Sequence, residues 1–130
     1  MTHFFKDRRA FGVTPVVFDS PEIVSEFKPG DLVHVSAISK GKGFSGVVKR
    51  WHFRGGPKTH GQKNRLRAPG SIGNTTPQRV IPGRHMAGRM GGERVTIKNL
   101  EVVHINPEKK ILMLHGATPG GVNAKVEIRK

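Results

Sequence analysis

The sequence predicts a mainly β protein, in which a small antiparallel β-domain is interrupted by a long, basic, glycine-rich segment. Two observations support this: short β-branched stretches separated by turn signals occur on both sides of the chain's centre, and the centre itself has almost no acidic side chains. A chain of 130 residues has room for one small domain with a modest core. Short strands at this spacing favour a barrel or a sandwich, and the residues alone leave both open.

Five stretches have the composition of half-buried strands. The first covers residues 31–38 and follows a turn signal at Pro29 and Gly30. The other four are short and rich in β-branched residues, and they cover residues 94–98, 101–105, 110–115 and 126–129. Further turn signals lie at residues 106–107 and 119–121. We therefore predict a β-domain in two parts, residues 1–38 and 95–130.

Between these two parts lies the basic segment, residues 39–94. It holds thirteen Lys and Arg residues against one acid, Glu93, and so carries +12 of the chain's formal charge of +14, together with 12 of the 17 glycines. It has few large aliphatic residues and cannot build its own core. Insertions longer than about 12 to 15 residues are generally functional or disordered. We expect this segment to become ordered on a nucleic acid, whose phosphates neutralise its self-repulsion.

One short helix is expected within the basic segment, over residues 44–53. Phe44, Val47, Val48 and Trp51 recur there at a spacing of three to four, and the rest of the segment is expected to be extended. Trp51 has two interpretations that stay open. It packs against the helix as a staple, which is the preferred role, or it stacks on an unpaired base, an interaction worth roughly 1 to 3 kcal/mol.

Enzymatic and metal-binding functions find little support. Residues 41–46 spell Gly-x-Gly-x-x-Gly, but nucleotide sites that use this loop also need acidic residues further along, and residues 32–92 contain no carboxylate. Ser45 and Ser71 lie outside any nucleophile elbow. The histidines lack metal-binding spacing, and the chain has no cysteine. We predict no catalytic residue, metal, cofactor or small-molecule substrate.

The candidate RNA-binding residues are mainly cations of the basic segment, which would meet phosphates. Its histidines are candidates for stacking or phosphate contact, whereas the histidines in strand patterns, His34, His104 and His115, are expected to be structural. The whole candidate set is Lys40, Lys42, Lys49, Arg50, Trp51, His52, Arg54, Lys58, His60, Lys63, Arg65, Arg67, Ser71, Asn74, Thr75, Arg79, Arg84, His85, Arg89 and Arg94.

The N-terminus lacks the apolar run of a signal peptide, and no stretch approaches the roughly 20 apolar residues that span a bilayer. We therefore expect an intracellular protein without a membrane partner. The charge pattern alone also permits a free nucleic-acid chaperone or a DNA-architectural protein.

An ordered set of motifs carries a family resemblance. The motifs are SKGKGFSGVVKRWHF at residues 39–53, THG at 59–61, PGSIG at 69–73, TP at 76–77, HMAGRMGGERV at 85–95 and GATPG at 116–120. Together they resemble the family of the third universal protein of the large ribosomal subunit, in its bacterial or organellar form. The resemblance extends from about residue 28 to the C-terminus, and a weaker stretch precedes it at residues 12–18.

The resemblance implies a β-barrel of the translation-protein type that lies on large-subunit ribosomal RNA (rRNA), beside other large-subunit proteins. Its role would be structural, in subunit assembly, without enzymatic activity or homo-oligomers, in the cytoplasm or an organellar matrix. Residues 40–54 and 79–94 would form two legs of an extension toward the peptidyl-transferase centre. The part nearest that centre would be Gly70, Ser71, Ile72, Gly73, Asn74, Thr75, Thr76 and Pro77.

Two departures from the family pattern carry expectations. Family members have a further upstream segment that includes strands of the barrel. We therefore expect an incomplete barrel, with an edge that rRNA, another protein or residues 2–5 must cover. The tip at residues 74–77 is one residue shorter than usual and lacks the glutamine that is methylated in some bacterial members, so no such modification is expected.

Overall fold

Strands dominate the described part of the chain, which is residues 1–6 and 8–130 of a computed structural model. The elements are β1 (Thr2–Lys6), β2 (Arg9–Val17), α1 (Pro21–Ser25), β3 (Leu32–Ile38), β4 (Phe44–Ser45), α2 (Val47–Trp51), β5 (Gly88–Arg89), β6 (Arg94–Asn106), β7 (Ile111–His115) and β8 (Val126–Arg129). The chain divides into a first unit, Met1–Lys40 with Glu93–Lys130, and a second unit, Gly41–Gly92. The assignment of residues 39–94 as an rRNA-binding extension stays a prediction.

The first unit is built on one antiparallel sheet with the strand order β1-β2-β7-β6-β3-β8. Strand β6 joins its two halves, because residues 94–101 pair with β3 and residues from Val102 onward pair with β7. At the ends, β1 pairs with β2 and β8 pairs with β3, and no ladder among the described residues joins β1 to β8. The sheet is therefore open, and the expectation of a barrel is corrected to an open antiparallel sheet.

The predicted strands at residues 31–38, 110–115 and 126–129 are confirmed as β3, β7 and β8. The two strands predicted at residues 94–98 and 101–105 are instead the single strand β6. Asn99 interrupts the pattern with a φ of +59°, a conformation that Asn tolerates better than most residues. The pairing with β3 shifts register there, from Val33 opposite Leu100 to Val35 opposite Ile97, so that β6 continues as one strand.

Strands β1 and β2 and helix α1 were not predicted from composition. Strand β2 contains Gly12 and Pro15, both of which weaken a strand pattern. Hydrogen bonds to a neighbouring strand stabilise β2 in spite of these residues, since β1 pairs along one side of it from Thr2 opposite Val13 to Lys6 opposite Arg9. Residues 2–5 thus cover an edge, as one of the expectations had it.

The core of the first unit is formed by side chains from β3, β6 and β7, together with Phe27. Its buried members are Phe27, Val33, Val35, Val102, Leu112 and Leu114. Each fully buried Val or Leu side chain stabilises the fold by roughly 1.5 to 3 kcal/mol relative to an exposed one. The core is small, as the chain length predicts.

The predicted turn before β3 is confirmed. Gly30 has a φ of +91°, and the Asp31 amide donates to the Lys28 carbonyl over 3.1 Å, as in a type II turn with Pro29 at its second position. The Asp31 carboxylate accepts hydrogen bonds from Lys130 Nζ at 2.7 Å and from the Lys28 amide at 2.9 Å. These bonds lower the pKa of Asp31, with Lys130 as the main cause. The turn is thereby tied to the C-terminus.

Candidate nucleic-acid interface

The second unit is a purely cationic part of the chain. It contains eleven Lys and Arg residues and no Asp or Glu. All of these cations are exposed except Arg50, which is partly buried. Charge of one sign without internal partners produces a positive field that attracts a polyanion. The eleven cations of the second unit are Lys42, Lys49, Arg50, Arg54, Lys58, Lys63, Arg65, Arg67, Arg79, Arg84 and Arg89.

A two-stranded ribbon closes the ends of the second unit. Phe44 lies opposite Arg89, and backbone hydrogen bonds of 2.9 Å join the Lys42 amide to the Met90 carbonyl and the Met90 amide to the Gly43 carbonyl. Residues 41–46 are therefore largely ribbon rather than a phosphate loop. The Gly-x-Gly-x-x-Gly pattern gains no support as a nucleotide site from this geometry.

The predicted helix is shorter than residues 44–53. Helix α2 runs only over Val47–Trp51, because Gly46 is extended and His52 has a φ of +60°, which ends the helix in the left-handed region. Val47 is buried, whereas Lys49 is exposed. A helix of this length fixes side-chain directions only through its tertiary contacts.

Trp51 connects α2 to a distant part of the second unit. Its indole ring stacks on the His85 imidazole with 3.8 Å between ring centroids and 1° between planes. Its Nε1 donates to the Met86 carbonyl over 2.9 Å, and the Arg50 guanidinium donates to the same carbonyl over 3.0 Å. Trp51 thus makes the contacts expected of a staple, and its stacking on an unpaired base stays a prediction. It joins α2 to residues 85–86, more than thirty positions along the chain.

Close backbone contact folds residues 55–66 back on themselves. The Gly56 amide donates to the Leu66 carbonyl over 2.9 Å. A Cβ atom at Gly55 would lie 2.2 Å from that carbonyl oxygen, and one at Gly56 would lie 2.6 Å from the Arg65 oxygen, so only glycine fits at either position. The expectation that the rest of the basic segment is extended is therefore wrong here, since glycines permit tight turns.

Residues 71–84 line an open pocket of about 310 Å³. The Arg84 guanidinium donates to the Ser71 carbonyl over 2.7 Å, and the Ser71 hydroxyl donates to the Gly73 carbonyl over 2.8 Å. Ile72 and Ile81 also line this pocket although both are exposed. The predicted tip residues 74–77 are all exposed.

Arg94 differs from the other candidate residues because it has an acidic partner in the first unit. Its guanidinium donates two hydrogen bonds to the Glu127 carboxylate, over 3.0 and 2.5 Å. These bonds raise the pKa of Arg94 and lower the pKa of Glu127. Any phosphate at Arg94 would have to share the guanidinium with Glu127.

Comparison with known proteins identifies the family. The model of the family described as ribosomal protein L3 matches residues 12–111. The chain belongs to the ribosomal protein L3 family. Among curated relatives, large ribosomal subunit protein uL3 of Dehalococcoides mccartyi is 60% identical over 108 residues, which are 82% of this chain and 53% of that protein. The uL3 protein of Chlorobium limicola is 54% identical over 110 residues, 84% of this chain and 53% of that protein.

This chain spans about half the length of the curated relatives that it matches, including uL3 of Chloroherpeton thalassium, at 58% identity over 106 residues and 51% of that protein. The match to the family model includes the whole second unit, Gly41–Gly92, and parts of the first. The cation-rich second unit therefore lies within the part of the chain that matches the family model.

Two further absences concern the described residues alone. Within residues 1–6 and 8–130, no group of three or more His, Asp or Glu side chains is placed to hold a metal ion. Neither described helix is long and apolar enough to cross a membrane.

The histidines in the strands have structural partners. His34 Nδ1 accepts a hydrogen bond from the Asn99 amide, His104 stacks on Phe4, and His115 contacts Phe11 edge-on.

The structure groups the candidate residues differently from their order in the sequence. It brings Trp51 to His85 and Arg84 to Ser71, whereas Lys40 and Arg94 belong to the first unit. Sequence reasoning missed the Met86 carbonyl, which accepts hydrogen bonds from two side chains. A backbone acceptor leaves no signal in residue type, so only the fold reveals it.

Proposed function

We propose that the chain is a structural constituent of the large ribosomal subunit, in the cytoplasm, and that it binds large-subunit rRNA without enzymatic activity. One observation carries the proposal: within a family of ribosomal proteins, this chain keeps a 52-residue unit with eleven cations and no carboxylate. The cations contact phosphates, and specificity arises from RNA shape more than from base reading.

The direct partners are rRNA and neighbouring large-subunit proteins. Residues 39–94 act as the rRNA-binding extension, and residues 1–38 and 95–130 form the β-domain that carries it. Residues 70–77 approach the peptidyl-transferase centre. The exposure of this tip and of ten of the eleven cations supports these roles, because phosphate contact needs accessible charge.

Salt dependence of binding tests the proposal. If about six phosphates are contacted, the affinity of the full chain for large-subunit rRNA falls on the order of a thousandfold between 50 and 200 mM salt. An affinity that hardly changes over this range contradicts the proposed interface. Co-sedimentation separates the rival role, since a free chaperone or DNA-architectural protein would not travel with the large subunit at moderate salt.

Incorporation into subunits tests individual cations. Replacement of Arg84, Arg89 and Arg94 by Ala is expected to weaken incorporation, measured by the amount of chain in the large-subunit peak. Arg94→Ala alone should have the smallest effect of the three single changes, because Glu127 already neutralises that guanidinium. Normal incorporation of the triple variant contradicts the role assigned to these residues.

The chain offers a direct test of the tip, because it has no cysteine. A single thiol introduced by Asn74→Cys can carry an iron chelate that cleaves nearby RNA. We expect cleavage of rRNA around the peptidyl-transferase centre from Asn74→Cys and none there from Glu108→Cys, an exposed position in the first unit. Cleavage at that centre from neither variant, with cleavage elsewhere from Asn74→Cys, contradicts the proposed location of the tip.

A further inference from the structure

In the stack of Trp51 on His85, the indole is held by several contacts within the second unit, whereas the imidazole is exposed. The indole covers one face of the imidazole, at 3.8 Å between centroids, and its only polar atom already donates to the Met86 carbonyl. Trp51 is 36% exposed, and the Arg50 guanidinium lies 5.0 Å from its ring centroid. The indole is thus engaged by three neighbours within its own unit.

His85 is exposed and faces a pocket that Trp51 does not line. This pocket, of about 260 Å³, is lined by Phe53, Gly83, Arg84 and His85. Because the indole stacks on only one face of the imidazole and His85 is exposed, the other face is available to a ligand. Pockets that hold drug-sized molecules span roughly 300 to 1,000 Å³, so this volume suits a smaller group.

The lining of this pocket matches the chemistry of a nucleotide. Phe53 and His85 offer flat aromatic surfaces on which a base can stack. Arg84 uses one N–H to hold the Ser71 carbonyl, and a guanidinium has further donors for a phosphate or a base edge. No carboxylate occurs anywhere in the second unit to repel that phosphate.

We propose that His85 stacks on one unpaired nucleobase of the bound RNA, in the pocket that it forms with Phe53 and Arg84. Trp51 is a positioning residue that fixes the plane of the imidazole and does not itself touch the base. Arg84 holds the phosphate or the edge of the same nucleotide. This inference rests on the proposed RNA-binding function and assigns one contact to a base within it.

The test compares two single strands with equal numbers of phosphates. One is an abasic ribose-phosphate strand of about twelve units, and the other carries a single adenine at its centre. The dissociation constant of the full chain is measured for each by fluorescence anisotropy at one low salt concentration. Stacking of one base is worth roughly 1 to 3 kcal/mol, so the adenine should tighten binding about 5- to 150-fold.

Variants locate this gain. For each variant, the gain is the ratio of its affinities for the adenine strand and the abasic strand. His85→Ala should abolish this gain, whereas His85→Phe should keep it because it keeps a flat ring. Trp51→Phe loses the hydrogen bond to the Met86 carbonyl, so the gain should shrink. Phe44→Leu is the matched control, since Phe44 is an aromatic residue of the same unit that is 81% exposed, and it should keep the whole gain.

The outcomes separate this inference from the proposed function. Equal affinity for both strands, or a gain that survives His85→Ala or disappears in Phe44→Leu, overturns the stacking assignment. If binding to the abasic strand still falls steeply with salt, the proposed phosphate interface stands. If neither strand binds at low salt, the inference and the proposed function fail together.

Discussion

The replacement Gly55→Ala tests the tight backbone contact within the second unit. An added Cβ would lie 2.2 Å from the Leu66 carbonyl oxygen, so the backbone must shift and weaken the hydrogen bond from the Gly56 amide to that oxygen. Gly61→Ala is a matched control. Gly61 has a φ of +78° against +75° at Gly55, but nothing lies within 4 Å of its added Cβ.

Both replacements place alanine in the left-handed region, at roughly 1 to 2 kcal/mol each. Gly55→Ala adds about 1 to 3 kcal/mol for the overpacked contact. It also loses about 0.5 to 1.5 kcal/mol from the hydrogen bond. The loop of Gly55→Ala should therefore open more readily than that of Gly61→Ala by about 1.5 to 4.5 kcal/mol.

Amide hydrogen exchange of the full chain measures this opening at Gly56. A difference of about 1.5 to 4.5 kcal/mol corresponds to exchange faster by roughly tenfold or more in Gly55→Ala than in Gly61→Ala. Equal exchange rates in the two variants would refute the reasoning, because the control carries the same backbone strain without the contact.

Three further outcomes are expected. Leu114→Ala should lower the free energy of unfolding by about 2 to 5 kcal/mol in urea denaturation, because Leu114 is fully buried, and a loss below about 1 kcal/mol would contradict the assigned core. His85→Ala should make the sole tryptophan, Trp51, more accessible to acrylamide quenching, and unchanged quenching would contradict the stack. The Arg94 guanidinium lowers the pKa of the Glu127 carboxyl below its ordinary value of 4.5. The ion pair therefore stabilises the folded chain fully at pH values above 4.5, and this stabilisation is lost as the pH falls through the lowered pKa. Glu127→Gln should therefore be less stable than the parent at neutral pH and equal to it in acid, and a difference that persists in acid would contradict this sign.

The elements that sequence could predict are those whose signal is local. The strand at residues 31–38 alternates over residues 32–35, where Val33 and Val35 are buried, and the turn before it needs only Pro29 and Gly30. The cationic character of residues 39–94 is likewise a matter of composition, and it carries the candidate interface without any structure.

What sequence could not predict depends on pairing between distant residues. Strand β2 exists despite Gly12 and Pro15 because β1 and β7 flank it. The openness of the sheet depends on which strands meet, which no single stretch encodes. The stack of Trp51 on His85 depends on a ribbon that brings residues 44–45 to residues 88–89, so neither residue type nor spacing indicates it.

The most direct test of the central claim asks which unit supplies the phosphate contacts. The logarithm of the affinity for large-subunit rRNA falls linearly with the logarithm of the salt concentration, and each lost phosphate contact flattens that slope by about 0.7 to 0.9. Replacing Lys58, Lys63 and Arg65 by Gln in the second unit should flatten it by about 2 to 3. Replacing the exposed Lys98, Lys109 and Lys125 of the first unit by Gln should leave it unchanged. The reverse pattern, or equal flattening by both sets, would contradict the claim that the second unit carries the RNA interface.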